Sequence, residues 1–346
     1  MKRAVIARAL ALMIIGVAVT LIARAQDQAA LTYGIEAPEK DATGTVITQA
    51  IQVYGLGNVN AVTFSPDGHH ILLGAAGNAY LYNANTFERE QVFTGHTDGV
   101  YSVAFSPDGT KVLAGSQDKT AMLWNRTTGT VLQRFTGHRG DVWSVAFSPD
   151  GTKVLTGSSD NTAKLWDAAT GAVLRTYIRL PVLVVYSVAF SPDGTSVLTG
   201  SSGDNAATLW DAARGVVLRT FPVGDTVLSV AFSPDGTKVL TGSDGGGAAL
   251  WNVATGAVLQ TFSGHTDPVS SVAFSPDGTK ALTGSYDATA MLWDAAPGTR
   301  IQTFSGHTNW VTSVAFSPDG TKVLTGGSWD DTAKLWDAAT GTALQT

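Results

Sequence analysis

Seven aspartates of this chain lie in one short motif, Ser-Pro-Asp-Gly. Such an aspartate could be part of a metal loop, a catalytic carboxylate or part of a turn. The motifs begin at Ser65, Ser106, Ser148, Ser191, Ser233, Ser275 and Ser317, in steps of 41–43 residues. A calcium loop needs several oxygen ligands from alternate positions, and one aspartate per motif does not supply them. Serine first, proline second and glycine fourth is the preference of a type I turn. We therefore predict a structural turn.

A second repeated set combines a histidine, a threonine and an aspartate, which resembles a hydrolase triad. One copy consists of His138, Thr156 and Asp160, and two more follow later in the chain. A catalytic site needs ionisable residues that break the repeat and converge in one place. Here the set recurs, with threonine in place of an exposed nucleophile. Because the sequence also has no metal-spaced ligand set and no phosphate-binding glycine loop, we expect no enzyme, no cofactor and no metal site.

The charge balance narrows the class of partner. The 346 residues carry a formal net charge of −6, and 44% of them are hydrophobic, as in a compact globular fold. The first 25 residues contain four bases and no acid, so the remainder has 18 bases against 28 acids, or −10. No basic run is present that would bind nucleic acid or anionic lipid. The chain has no cysteine, so its stability does not depend on disulfides.

The first 25 residues have the organisation of a signal peptide. Three bases precede an uncharged apolar run at residues 9–23, and Ala-Arg-Ala at 23–25 is a small-x-small cleavage site. The run is short for a membrane span of about 20 residues. We expect cleavage after Ala25, a linker at residues 26–45, and a periplasmic or extracellular protein. The alternative is an uncleaved segment, which would be the chain's only contact with a membrane.

The text after each Ser-Pro-Asp-Gly motif is also repeated, and its fullest copy spans residues 144–174. Short apolar or β-branched runs bounded by turn residues predict four strands there, at 144–148, 153–157, 162–166 and 172–176. The connections are too short for a crossover helix, so consecutive strands must pair antiparallel. Seven such units indicate radial repetition, because a sheet of about 28 strands does not stay open.

The repeated unit resembles the WD-repeat (WD40) β-propeller family, and the chain as a whole resembles an exported bacterial-type member of it. The resemblance rests on Gly137-His138, the Ser-Pro-Asp-Gly motif and Leu-Trp-Asp at residues 165–167. The resemblance covers residues 46–346. It implies an all-β, seven-bladed propeller of four-stranded antiparallel blades, closed by pairing of the N- and C-terminal strands. Residues 48–55 match a fourth strand and are expected to complete the seventh blade. Residues 342–346 compete for the same place, either as a displaced stub or as the end of a fragment.

The resemblance also implies that each His-Thr-Asp set, together with a tryptophan, is a buried hydrogen-bonded network that fixes the blade geometry. The implied members are His138, Thr156, Asp160 and Trp166; His265, Thr283, Asp287 and Trp293; and His307, Thr325 and Trp336, with Asp330 or Asp331. Other units depart from this pattern. The second unit has Ala114 in place of threonine, and the fourth and fifth have no histidine, so we expect these blades to be looser.

In a four-stranded meander, the connections before the first strand and after the second emerge on one face, and the Ser-Pro-Asp-Gly turns emerge on the other. The residue just before the Ser-Val-Ala-Phe sequence, or its equivalent, in each first strand varies from unit to unit, whereas the neighbouring positions hardly vary. Aromatic residues are enriched in binding hot spots. The partner-binding residues that we predict on the first face are Tyr101, Trp143, Tyr186, Leu228, Trp310, Trp329, Arg139 and Asp141. The alternative role for the three consecutive aromatics is to plug the central channel.

The sequence therefore favours a non-enzymatic scaffold outside the cytoplasm that binds a protein or peptide, as the family resemblance implies. The alternative is an extracellular carbohydrate or polymer that stacks on Tyr101, Trp143 and Tyr186. An exported propeller enzyme is the weakest hypothesis, because no convergent ionisable cluster is found. We expect no nucleic acid partner. Fold alone does not decide among these functions.

Overall fold

The structure is a computed structural model that describes residues 51–52, 57–179 and 184–345, all within one unit, Thr48–Thr346. The predicted signal peptide at 1–25 and the linker at 26–45 lie outside the described residues. The described part contains 29 β-strands and no helix. It therefore has no helix that is long and apolar enough to cross a membrane.

The strands form seven sheets, which we number as blades 1 to 7 in chain order. Blades 1 to 3 consist of β2 (Val59–Phe64), β3 (His70–Ala75), β4 (Asn78–Asn83) and β5 (Arg89–Phe93); β6 (Val100–Phe105), β7 (Lys111–Ser116), β8 (Ala121–Asn125) and β9 (Val131–Phe135); and β10 (Val142–Phe147), β11 (Lys153–Ser158), β12 (Thr162–Asp167) and β13 (Val173–Ile178). Blades 4 to 6 consist of β14 (Val185–Phe190), β15 (Ser196–Ser201), β16 (Ala206–Asp211) and β17 (Val217–Pro222); β18 (Val227–Phe232), β19 (Lys238–Ser243), β20 (Ala248–Asn252) and β21 (Val258–Phe262); and β22 (Val269–Phe274), β23 (Lys280–Ser285), β24 (Thr289–Asp294) and β25 (Arg300–Ser305). Blade 7 consists of β26 (Val311–Phe316), β27 (Lys322–Gly327) and β28 (Thr332–Asp337), with β1 (Ile51–Gln52) and β29 (Ala343–Gln345).

Blades 1 to 6 are antiparallel meanders with their strands in sequence order, and in blade 7 the strands β26 to β29 follow the same pattern while β1 joins the outer edge. The first strands of neighbouring blades lie side by side around a central channel. Six of the seven seams between first strands carry the same hydrogen bond, in which a backbone N–H meets a serine hydroxyl of the preceding blade. An example is Val145 N to Ser102 Oγ at 3.1 Å. The prediction of an all-β, seven-bladed propeller of four-stranded antiparallel blades is confirmed.

The Ser-Pro-Asp-Gly motif forms the turn between the first and second strands, as predicted. In blade 2 the N–H of Gly109 donates to the carbonyl of Ser106 at 2.8 Å, and Gly109 has φ of 68°, a conformation that favours glycine. Asp108 accepts hydrogen bonds from the Ser106 hydroxyl at 2.5 Å and the Thr110 N–H at 3.0 Å. The aspartate therefore holds the turn together.

The hydrophobic core is divided among the spaces between blades. In one of these spaces Phe135, at the end of β9, packs against Trp166 of the next blade, with ring centroids 5.7 Å apart. A glycine in each second strand lets the next blade approach closely. A Cβ on Gly157 would lie only 2.9 Å from a methyl group of Val185, so a side chain there would push two blades apart.

The outer edge of blade 7 is shared by two short strands. β29 pairs Gln345 with Leu335, which is the register of the complete fourth strand in blade 5, where Gln260 pairs with Leu250. β1, Ile51–Gln52, pairs with the first two residues of β28, beyond the reach of β29. The two segments thus lie on different parts of one edge, and neither fills it alone. Closure through the N-terminal strand stays a prediction, because residues 53–56 lie outside the described residues.

Candidate interaction face

The loops that precede each first strand and the loops that follow each second strand meet on one face of the propeller, which we call the loop face. In blade 3 the N–H of Ser159 donates to the carbonyl of Asp141 at 3.0 Å and ties two such loops together. The remaining turns meet on the opposite face, which we call the turn face. There the backbone N–H of Ala168 donates to the backbone carbonyl of Thr152 at 2.9 Å. Every residue predicted to bind a partner lies on the loop face or at its channel mouth.

The variable position before each first-strand text is a β-bulge. In blade 3 Val142 pairs with Ser158 and Ser144 pairs with Gly157, so Trp143 has no partner in the ladder. A bulge turns its side chain away from the regular alternation of the strand. The seven bulge residues are Asn60, Tyr101, Trp143, Tyr186, Leu228, Ser270 and Thr312.

Three bulge residues, Tyr101, Trp143 and Tyr186, form the aromatic arc. The rings of Tyr101 and Trp143 are stacked, with centroids 4.4 Å apart and planes within 6°. Tyr186 meets Trp143 edge-on at 5.9 Å. All three side chains are half-buried, so each is partly covered by its neighbours and partly exposed. Because Tyr101 and Trp143 cover one face of each other, the arc does not consist of three parallel stacking platforms.

Other bulge residues are short and polar, and they bind the next blade. The Ser270 hydroxyl donates to the Val311 carbonyl at 2.5 Å, and the Thr312 hydroxyl donates to the Val59 carbonyl at 3.1 Å. Leu228 lies between the aromatic and polar sets and is half-buried. The bulge ring thus has a polar half that joins blades and an aromatic half that makes no such bond.

A second aromatic pair lies on the loop face. Trp310, which was predicted, stacks on Tyr286, which was not, with centroids 4.5 Å apart. Burial, with smaller contributions from the neighbouring Tyr186 and Asp244, raises the pKa of Tyr286 to about 12. Tyr286 therefore lies close to the arc. Its sequence signal was a departure from the repeat, because polar Gln117 stands at the same place in blade 2.

Trp329 lies on the loop face and is 51% exposed, more than any other aromatic residue described there. The loop after the second strand is one residue longer in blades 4 and 7 than in blade 3, and the extra position is Gly203 in blade 4 and Trp329 in blade 7. Both residues have positive φ, 85° and 72°. A tryptophan with positive φ is strained, since this backbone conformation favours glycine. The structure therefore displays this indole at a conformational cost.

The loop face carries more unpaired acids than bases. Of its described residues, six aspartates form no ion pair: Asp98, Asp141, Asp225, Asp244, Asp267 and Asp331. The bases that form none are Lys119 and Arg139; the backbone N–H of Arg139 binds Asp160 at 2.9 Å. Burial and the neighbouring carboxylate of Asp98 raise the pKa of Asp141. Burial and Asp225 likewise raise the pKa of Asp244.

The predicted network residues are brought together in blades 3, 6 and 7. In blade 3, His138 Nε2 lies 2.6 Å from the Thr156 hydroxyl and its Nδ1 lies 2.8 Å from Asp160, while Trp166 donates to Thr156 at 2.8 Å. Burial raises the pKa of Asp160, but hydrogen bonds from His138 and Thr162 outweigh it and leave that pKa well below its usual range. The same contacts join His265, Thr283, Asp287 and Trp293 in blade 6. They join His307, Thr325 and Trp336 with Asp330, not Asp331, in blade 7.

Blades 2 and 4 differ from this network in ways that follow from the sequence. His96 keeps its bond to Asp118 at 2.8 Å, but its buried Nε2 has no partner because Ala114 replaces the threonine. In blade 4, which has no histidine, Arg179 Nε lies 2.6 Å from Asp204 and replaces the histidine as the partner of the aspartate, but its other hydrogen bonds go to Thr208 and Thr220. Sequence reasoning missed Arg179, because it considered only histidine there.

The chain matches the family described as "WD domain, G-beta repeat" at residues 87–125, 129–167, 181–211, 215–252, 256–294 and 298–337. It is 40% identical over 70 residues to WD repeat-containing protein 1 of Xenopus tropicalis and 34% identical to that of Gallus gallus. Each alignment covers 19% of this chain and 12% of the relative. Five of the six matched stretches begin at the fourth strand of one blade and end with the third strand of the next. The chain therefore belongs to the WD-repeat family of β-propellers.

Proposed function

We propose that this chain is a non-enzymatic scaffold that binds a protein partner through its loop face. WD-repeat propellers are typically protein-interaction scaffolds. The observation that carries the assignment to this face is the aromatic arc, because its three large side chains stand on bulges where polar residues elsewhere join the blades. Such side chains bury much area at little cost in conformational entropy. Trp329 extends this surface into blade 7.

The non-enzymatic part of the proposal is supported by the burial of the triad-like sets. Thr156, Thr283 and Thr325 have no exposed surface, and each hydroxyl accepts a tryptophan indole N–H. A nucleophile must reach the substrate, and these hydroxyls do not. The described residues contain no group of three potential metal ligands.

We also propose that the protein acts outside the cytoplasm. This proposal rests on the apolar run and the small-x-small site of residues 1–25. Mass spectrometry of the N-terminus of the protein purified from its natural compartment tests it. A chain that begins after Ala25 in an extracytoplasmic fraction is expected, and a cytoplasmic chain that begins at Met1 would overturn it.

Affinity capture with a triple variant, Tyr101→Ser, Trp143→Ser and Tyr186→Ser, tests the binding face. Serine suits the bulge, since Ser270 occupies it in blade 6. The control is Arg214→Ser, whose side chain is 81% exposed on the turn face. We expect the triple variant to lose partners that the control keeps. Identical captured sets would overturn the proposal, and loss of glycan binding alone would favour the carbohydrate alternative.

A further inference from the structure

Five aromatic side chains lie around the channel mouth on the loop face, and we call them the aromatic crescent. They are Tyr101, Trp143, Tyr186, Tyr286 and Trp310. Two stacked pairs form its ends, Tyr101 with Trp143 and Tyr286 with Trp310. Tyr186 meets Trp143 edge-on and is near enough to Tyr286 to contribute to its raised pKa. The crescent is a surface of π-faces and ring edges to which blades 2, 3, 4, 6 and 7 each contribute one ring.

Carboxylates flank the crescent in two like-charged pairs. Asp98 and Asp141 lie beside Tyr101, and both raise its pKa, in addition to the larger effect of burial. Asp225 and Asp244 form the second pair, and Asp244 is near enough to Tyr186 to raise its pKa, in addition to the larger effect of burial. None of these four carboxylates forms an ion pair with a described residue. Within each pair one carboxylate raises the pKa of the other, as neighbouring like charges do, and a bound cation would relieve this repulsion.

The second pair is held in place by its loops. The N–H of Asp244 donates to the carbonyl of Thr226 at 3.0 Å, which ties the loop after the second strand to the loop before the first. The Asp225 carboxylate lies over Gly245, where a Cβ would stand 2.9 Å from its Oδ2. The two carboxylates are therefore held close together on the loop face, and Asp244 is the one that lies near Tyr186 and Tyr286.

Aromatic faces and unpaired carboxylates are complementary to one kind of side chain. A guanidinium or ammonium group is attracted to the face of an aromatic ring and forms strong hydrogen bonds with a carboxylate. The buried indole N–H of Trp143 has no acceptor among the described residues, and a backbone carbonyl of a bound chain would supply one. An acidic segment or a phosphate group would be repelled by the same surface.

We propose that the partner binds the aromatic crescent through an extended protein segment that carries arginine or lysine. One cationic side chain of this segment enters between Tyr186 and Tyr286 and pairs with Asp225 and Asp244. The inference rests on the proposed function, since it names the chemistry of the partner at that same face. Arginine suits the place best, because its planar group stacks on rings and binds carboxylates in pairs.

Calorimetric titration of the purified protein with synthetic peptides tests the proposal. The probe is a short Gly-Ser peptide that carries arginines, and its matched control has glutamine at the same positions. We expect the arginine peptide to bind at least about tenfold more tightly, and to lose that advantage as salt is raised. Equal affinities of the two peptides would overturn the proposal.

The variant Asp225→Asn with Asp244→Asn locates the site. Asparagine keeps the hydrogen bond that Asp225 accepts from the Thr226 N–H at 2.7 Å, so the fold is retained, and thermal unfolding checks this. We expect about a tenfold loss of affinity for the arginine peptide. The control Glu88→Gln, an exposed acid near the turn face, is expected to bind like the wild type. Equal losses in both variants would show non-specific charge attraction and overturn the site.

The two proposals fail in different ways. We call the triple serine variant of the aromatic arc the arc variant, and Asp225→Asn with Asp244→Asn the acid variant. If the arc variant loses its partners in affinity capture while the acid variant keeps them, the proposed interaction face is supported and the proposal of a cationic segment is wrong. If the arginine peptide binds at the acids but the arc variant keeps all its partners, the peptide result does not rescue the proposed function. In that case the crescent is not where the partner binds.

Discussion

Trp124 donates its indole N–H to the backbone carbonyl of Thr94 at 3.1 Å, although five other tryptophans at this position donate to a threonine hydroxyl. The difference arises at Ala114, which stands where blades 3 to 7 have that threonine. His96 is left with a buried Nε2 that has no partner, and burial lowers its pKa. Blade 2 therefore contains an incomplete network that one hydroxyl would complete.

We predict that Ala114→Thr stabilises the protein by about 1 kcal/mol, the net contribution of one buried hydrogen bond. The new hydroxyl would meet His96 and Trp124. Space is available, because Thr283 lies opposite Met291 in blade 6 as Ala114 lies opposite Met122 in blade 2. Urea denaturation of both proteins measures the change in the free energy of unfolding.

The matched control is Ala114→Val, which adds a side chain of similar shape without a hydroxyl. It leaves the His96 nitrogen without a partner, so no gain is expected from hydrogen bonding. If valine stabilises the protein as much as threonine does, packing and not the network explains the gain.

One seam between first strands lacks the serine bond of the other six. Serines 102, 144, 187, 229, 271 and 313 accept a backbone N–H from the next blade at 3.0–3.1 Å, but Ala61 stands at this position in blade 1. We predict that Ala61→Ser raises the free energy of unfolding by about 0.5–1 kcal/mol. Chemical denaturation measures this effect.

The reverse change, Ser229→Ala, provides the comparison for this prediction. It removes the acceptor of the Val272 N–H and should cost about 1–3 kcal/mol, because a buried donor is left unsatisfied. A neutral Ser229→Ala together with a neutral Ala61→Ser would mean that these bonds do not contribute to blade closure.

The fold could be read from the sequence because every unit repeats the same local signals. A turn motif such as that of Ser106 recurs in step with buried residues such as Trp124, and the period supplied the blade count. The bulge could not be read in the same way. Trp143 occupies one position of a strand in the sequence, and only the pairing of Val142 and Ser144 with the second strand shows that it leaves the ladder.

The residues of the candidate site were predicted in part, but their contacts were not, because those contacts depend on how separate blades and loops pack. Tyr101 and Trp143 were found because they vary within a constant text, but their stacking depends on the angle between two blades. Tyr286 was missed because its loop was read only for the network aspartate beside it. Arg179 was missed because an arginine six residues before a strand has no motif, and its pairing with Asp204 spans 25 positions.

The turn aspartates make stability depend on acid. All seven have pKa values below the usual range, and hydrogen bonds from the turn serine are a main cause; for Asp277, bonds from Ser275 and Thr279 lower it from 3.8 to about 2. A carboxyl group whose pKa is lowered in the folded state stabilises that state above its unfolded pKa. This stabilisation is lost as the pH falls from about 4 to about 2.

We predict that Asp277→Asn lowers the free energy of unfolding near neutral pH and that the difference from the wild type shrinks toward pH 2. Asp141→Asn is the comparison of opposite sign, because burial and Asp98 raise the pKa of Asp141. That variant should be at least as stable as the wild type at neutral pH and lose its advantage in acid. Denaturant titrations across this range measure both, and a pH-independent effect of Asp277→Asn would contradict the assignment.

Trp329 is exposed on the proposed interaction face, but its backbone conformation is strained, so its proposed contribution to binding comes at a cost in stability. Glycine takes positive φ freely, and Gly203 holds the matching position of blade 4. We predict that Trp329→Gly unfolds with a free energy no lower than that of the wild type, while Trp329→Ala, which keeps the strain, is less stable than the glycine variant by about 1 kcal/mol. Both variants lose the indole, so both should capture less of the partner. If capture stays at the wild-type level in both, the strained indole does not serve the interaction face; if only the alanine variant loses capture, backbone shape and not the ring is what the partner recognises.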